Sequence, residues 1–226
     1  DKSIHRHVSF HSVQARPESS FLPWEKDGHR RGNAEWALND CSARSIASED
    51  RILYVHGGGF EWYSPSDEFY RPQTSRLAQM TGLPVLGVDY RLAPEHKFPS
   101  PLIDVLNALA YIWEYAPSGE RRPARSVFLV GDSAGGGLAI SACVALLSSP
   151  STSRENILNH ITSSSSVKLP TKVILISPYL DLTASCPTYR TRAFDEVTLR
   201  GDPIFSTGGY DKSVIDRDIQ QTRKAT

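Results

Sequence analysis

Residues 126–137 read SVFLVGDSAGGG. An apolar, β-branched run stops at Gly131, and small residues lead from it into GLAISACVALL at 137–147, which predicts a buried helix. A strand, a sharp turn and a helix form the context in which G-x-S-x-G lifts a serine hydroxyl out at the end of a sheet. Ser133 occupies the centre of that pattern, between Gly131 and Gly135, whose missing side chains leave room for the turn. The pentapeptide alone is a weak signal, because small residues also fill ordinary strand-to-helix turns.

Further runs of the same kind flank it. RILYVH (51–56), LPVLGVDY (83–90) and KVILISPYL (172–180) are continuous apolar segments rather than alternating ones. That is how strands buried on both faces read, so they predict a mostly parallel sheet covered by helices on both faces. Between them, SDEFYRPQTSRLAQMTG (66–82) ends in a glycine stop, and SPLIDVLNALAYIWEYA (100–116) aligns Leu102, Val105, Leu106, Leu109 and Ile112 on one stripe. Alternating strands and helices define an α/β fold. A serine-rich insertion at about 148–168 reads as a surface loop. Residues 1–50 are mixed and polar, and are expected to form a cap-like or irregular N-terminal segment before a core at 51–226. His5, His7 and His11 in that segment lack an acid or cysteine at ligand spacing, so they read as solvated rather than metal-binding.

The bulk numbers narrow the function classes. A chain of 226 residues with 39% hydrophobic content suits one domain with a real core. Twenty-five basic residues balance twenty-five acidic ones, so no general field recruits nucleic acid or an anionic membrane. No apolar run approaches the roughly 18 to 20 residues that cross a bilayer. Cys41, Cys143 and Cys186 are an odd set without paired spacing, which argues against a disulfide scaffold and a zinc site. The compartment stays open, with the cytosol favoured.

The chemistry lies in a second glycine-rich turn, HGGGF at 56–60. Ester cleavage creates a negative oxygen, and backbone N–H groups reach it only where no side chain blocks their approach. Gly57, Gly58 and Gly59 end one strand and Ser133 ends another. In a parallel sheet both ends emerge on the carboxyl edge, so the two turns are expected to face each other across one crevice. The amide of Ala134, at a helix N-terminus, would add a donor. Phe60, Trp62 and Tyr63 follow the glycines and are candidate walls of a substrate pocket. Asp89, Arg91 and Glu95 look suited to mutual pairing that fixes the loop after the second strand.

Taken in order, HGGGF, DYRLAPEHKFP, GDSAGGG and SPYLDL resemble the hormone-sensitive-lipase-like branch of the α/β-hydrolases, mostly carboxylesterases and lipases, over about residues 51–182. The resemblance implies an α/β-hydrolase fold and hydrolysis of a small ester without metal or organic cofactor. It implies Ser133 as nucleophile, an oxyanion hole from the amides of Gly57, Gly58 and Ala134, and His56 as support for the glycine loop rather than a base.

In this fold the acid and the histidine follow the serine. Only His160 does so, inside the serine-rich insertion, and it reads as a loop histidine. Asp181, Asp195 and Asp202 are available carboxylates that come early for the acid. The C-terminal strands that would present both groups are expected to be missing, so the chain should turn over poorly or not at all. Three readings follow: a piece of a normal esterase, a natural short form, or a small-molecule binding protein like the plant gibberellin receptors, which resemble the same family and lack the histidine. An early end to the sheet also predicts self-association through an unpaired strand edge.

Overall fold

The computed structural model describes residues 8–13, 33–39, 48–147 and 167–181. His5, His7, His29, Cys41, His160, Cys186, Asp195, Asp202 and residues 148–166 of the insertion lie outside them. The chain divides into two compact units, Asp1–Pro178 and Tyr179–Thr226, and all the elements below belong to the first.

Among the described residues six strands form one sheet: β1 (Val8–Val13), β2 (Asn33–Asn39), β3 (Asp50–Val55), β4 (Val85–Asp89), β5 (Ser126–Asp132) and β6 (Lys172–Ile176), in the order β1-β2-β4-β3-β5-β6. From β4 to β6 the pairing is parallel, with Val55 level with Gly131 and Gly131 level with Leu175. The N-terminal segment departs from expectation. Its described residues form β1 and β2 as antiparallel strands where a cap-like or irregular segment is expected, β1 pairing with β2 and β2 with β4. The apolar pattern there is broken by Glu35, which is 6% exposed and whose carboxylate is held by the Arg71 guanidinium at 2.7 and 3.0 Å. A charge is tolerated at a core position only when paired in this way. Arg71 in turn lies over the Phe10 ring, 4.8 Å from its centroid, tying β1 to the same spot.

The helices among the described residues are α1 (Arg71–Thr81), after β3, α2 (Ser100–Glu114), after β4, and α3 (Ser133–Leu147), after β5. Alternation along β3 sends Leu53 and Val55 into one core with α2 and α3, through Leu102, Leu106, Leu109 and Leu138. Ile52 and Tyr54 point into the other, with Tyr70 and Ala78 at α1. Helices therefore cover both faces, as the unbroken apolar strands require. Gly82 ends α1 in the left-handed region (φ 69°), its N–H donating to Ala78 O, as the glycine stop predicts.

Two charged residues fix the frame around the site. Arg51, fully buried on β3, donates to the carbonyls of Ile112, Tyr115 and Arg122 at 2.6–2.8 Å and so closes the C-terminal end of α2. Asp104 of α2 accepts from the Arg91 amide at 2.8 Å and from its Nε at 2.9 Å, pinning the stretch after β4. Asp104 was not among the acids the sequence suggested for Arg91. At the far side, β6 leaves Val173, Ile174 and Ile176 exposed. Among the described residues no helix is long and apolar enough to cross a membrane.

Candidate active site

The chain leaves β3 for β4 on one side and later arrives at β5 on the other, so the carboxyl ends of β3 and β5 flank the point where strand order reverses. Such a switch point opens a crevice outside the strand ends. Both glycine-rich turns sit there.

At the end of β5, Ser133 takes a left-handed backbone conformation (φ 48°) and begins α3, with its side chain exposed. A non-glycine residue there costs on the order of 1 kcal/mol and is held by its surroundings. Those surroundings are backbone. A Cβ on Gly131 would lie 2.6 Å from Gly135 O, and one on Gly135 would lie 2.1 Å from Val55 O and 2.3 Å from His56 O. The elbow therefore closes only on glycine, and it packs directly on the end of β3. Ala134 is buried in the first turn of α3, where amides have no partner within the helix.

The turn after β3 meets the elbow. A Cβ on Gly57 would stand 3.0 Å from Ser133 Cβ and 2.6 Å from Asp132 Oδ2, so the bare backbone of the turn lies directly against these two side chains of the elbow. Gly58 (φ 104°), Gly59 (φ 63°) and Phe60 (φ 69°) all have positive φ, and Gly58 O accepts from the amides of Glu61 and Trp62. Among the described residues, the amides of Gly58 and Gly59 donate to none of the bonds that hold this turn. The Gly57 amide, counted from sequence among the oxyanion donors, is otherwise engaged. It donates to Tyr70 Oη at 2.9 Å and Asp132 Oδ1 at 3.1 Å, so it is turned away from that role.

His56 is fully buried, its Nδ1 2.8 Å from Gly57 O and its ring stacked on Tyr90 at 4.2 Å between centroids. Nδ1 carries the proton, because a carbonyl can only accept. The Tyr90 hydroxyl donates to His56 O at 2.8 Å. Phe60 packs on the larger core, Tyr63 (φ 77°) stacks on Phe69 at 5.2 Å, and Trp62 is 44% exposed. Of the three candidate wall residues Trp62 alone is exposed, Phe60 and Tyr63 being partly buried.

Sequence reasoning missed the groups that join the turns. Asp132 accepts from the hydroxyls of Tyr54 and Tyr70, each at 2.9 Å, besides Gly57. The signal was present: a carboxylate ends a buried apolar strand, and such a charge demands donors. Burial pushes its carboxyl above the ordinary range, the donors pulling the other way.

Burial also drives the His56 imidazole from 6.5 down to about 4. The unfolded chain then binds a proton between those values that the folded chain refuses, so stability falls as pH drops from about 6.5 towards 4. The loss amounts to about 3 kcal/mol for this group. Asp104 and Asp132, pushed up by burial, act in the opposite sense. The expected result is a drop in melting temperature between pH 7 and 4.5 that is smaller in His56→Asn, which keeps a donor for Gly57 O. Equal drops in the two proteins would refute it.

The comparisons agree with this architecture. An acetyl-hydrolase of Streptomyces hygroscopicus is 32% identical over 166 residues, covering 72% of this chain and 48% of its own length. A gibberellin receptor of Arabidopsis thaliana is 33% identical over 111 residues, covering 48% of this chain and 31% of the receptor. The crystal structure of an esterase from the bacterial hormone-sensitive lipase family superposes with a TM-score of 0.57 at 27% identity, covering 83% of this chain and 50% of that one. The chain thus spans about half the length, or less, of these relatives. The profile of the alpha/beta hydrolase fold matches residues 52–208, from the strand before the glycine turn to well past the serine elbow, and the chain belongs to that family.

Proposed function

We propose that the crevice between the two turns hydrolyses a carboxylic ester, with Ser133 as nucleophile. One observation carries this reading: the bare Gly57 backbone stands so close to the elbow that a Cβ there would lie 3.0 Å from Ser133 Cβ. Ser133 Oγ adds to the ester carbonyl carbon and the carbonyl oxygen becomes an anion. The amides of Gly58, Gly59 and Ala134 receive that charge, a role supported by their freedom from other bonds in the turn and by the helix N-terminus beneath Ala134. Collapse of the adduct expels the alcohol, which leaves carrying the proton given up by the Ser133 hydroxyl, and the acyl group left on Ser133 is removed by water, which returns a proton to the serine oxygen. His56, committed to Gly57 O, supports the turn and does not take the serine proton. Trp62 is the candidate wall for the acyl or alcohol group.

The test is labelling of the chain with a fluorophosphonate, followed by peptide mass spectrometry and a p-nitrophenyl acetate assay. The adduct is expected on Ser133, and whatever hydrolysis the chain supports, expected to be slow, should vanish in Ser133→Ala. Turnover unchanged in that variant overturns the mechanism. The likeness to a gibberellin receptor favours one second reading, a small-molecule binder on the same scaffold. Saturable ligand binding without serine labelling or turnover would select it.

A further inference from the structure

Ser133 and the glycine turn belong to different parts of the chain, yet an anion site works only if the amides keep a fixed aim at the reacting atom. The contacts that fix the aim converge on one side chain. Asp132 precedes the serine and extends the β5 row Phe128, Val130 on the face covered by α1. Its Oδ1 accepts from Gly57 N–H at 3.1 Å and from Tyr54 Oη at 2.9 Å, and its Oδ2 accepts from Tyr70 Oη at 2.9 Å. Tyr70 Oη accepts from the same Gly57 N–H at 2.9 Å. The Gly57 amide thus sits in a two-oxygen fork whose prongs are bonded to each other. The opposite side of the same turn is closed by the Tyr90 hydroxyl, which donates to His56 O at 2.8 Å and Gly57 O at 3.2 Å. With Gly57 N–H and C=O both clamped, the only freedom left in HGGG is at Gly58 and beyond.

We infer that Asp132 is a positioning residue of the site: through Gly57 N–H and the Tyr70 hydroxyl, its carboxylate sets the glycine turn in the orientation that aims the Gly58 and Gly59 amides at Ser133. This rests on the hydrolase reading above. Asp132 touches no substrate. It acts because one residue spans the elbow and the turn, so a shift of either is felt by the other.

The arrangement suits an ionised carboxylate, which is acceptor-only and here receives three donors. Protonation converts one oxygen to a donor and loosens the fork. The titratable groups around it are Tyr54 from β3, Tyr70 at the start of α1, and Tyr90 after β4, with His56 stacked on Tyr90 and 5.3 Å from the Tyr70 ring. Burial raises all three phenols far above neutrality, so they stay protonated donors wherever Asp132 titrates.

The test uses the intact chain, two readouts and three variants. Fluorophosphonate labelling of Ser133 is followed against reagent concentration, separating the maximal rate from the half-saturating concentration. Asp132→Ala should lower the maximal rate by about 100-fold, the size of effect a displaced catalytic geometry produces, with little change in half-saturation. Asp132→Asn keeps an oxygen for Gly57 and should recover most of the rate, and Tyr70→Phe should fall between. In parallel, the Gly57 amide signal of ¹⁵N-glycine-labelled protein should move with pH about a midpoint above the ordinary carboxylate range, and stay still in Asp132→Asn. Unchanged labelling in folded Asp132→Ala, or a Gly57 signal that ignores pH in the wild type, overturns the inference and leaves the hydrolase reading intact. A wild-type chain that is not labelled overturns the hydrolase reading, and the inference falls with it.

Discussion

Gly135→Ala is expected to cost more than about 4 kcal/mol, a loss comparable with the whole stability of a domain of this size. The single added carbon would lie 2.1 Å from Val55 O, 2.3 Å from His56 O and 2.6 Å from Val55 C. No rotamer relieves such a clash, because Cβ has no torsion of its own and all three atoms are backbone. Val55 cannot withdraw, since β3 is bonded to β4 on one edge and β5 on the other. The helix cannot withdraw either, because Gly135 O is itself 2.6 Å from where a Gly131 Cβ would be, so the strand and helix sides of the elbow are already in contact. The relief available is to separate α3 from the sheet, exposing Leu138, Ala139 and Ala142, each now buried. Urea unfolding of soluble protein, or loss of soluble yield, reads the effect. The control is Ser141→Ala in the same helix, which removes only a hydroxyl bonded back to Gly137 O at 2.8 Å and should change stability by no more than about 0.5 kcal/mol. Gly135→Ala within roughly 1 kcal/mol of the wild type, the spread of ordinary surface substitutions, would mean that the elbow opens cheaply and that the three glycines after Ala134 have another reason.

What the sequence made legible follows from which forces are local. Strands β3 to β6 and all three helices were readable because continuous apolar runs and glycine stops are themselves the cause of those elements. The meeting of HGGG with GDSAG was readable too, because parallel strands force their carboxyl ends to one edge. Strands β1 and β2 were not, because they are held by a partner distant in sequence: Glu35 looks like a surface residue until Arg71 arrives from α1. The same blindness hid Asp132. Its donors, Tyr54, Gly57 and Tyr70, come from 62 to 78 residues away, and one of them reversed the expectation for Gly57. Glycine in a motif says that backbone must come close to something. It does not say whether the partner is a substrate oxygen or a neighbouring carboxylate.

That distinction sets the second large effect. Gly58→Ala is expected to slow labelling of Ser133 by roughly 100-fold to 1000-fold, the loss that follows removal of an oxyanion donor, while leaving the chain folded. Gly58 has φ 104°, well away from the ordinary left-handed well that alanine tolerates at modest cost, and its Cβ would meet Trp62 O at 2.3 Å and the Tyr63 ring at 2.8 Å. Unlike the Gly135 clash, this one lies within a single turn. Gly58 O holds the amides of Glu61 and Trp62, and the turn can re-form by giving up those two bonds, at a cost of about 1 to 3 kcal/mol. Re-forming rotates the peptide planes on either side of residue 58, which carry the two free amides. Gly59→Asn is the matched control: at φ 63° it asks for a conformation asparagine adopts readily, so it should slow labelling by no more than about tenfold. If Gly58→Ala reacts like the wild type while circular dichroism shows it folded, the bare backbone of the turn is not what receives the charge, and Ser133 must find its oxyanion donors elsewhere.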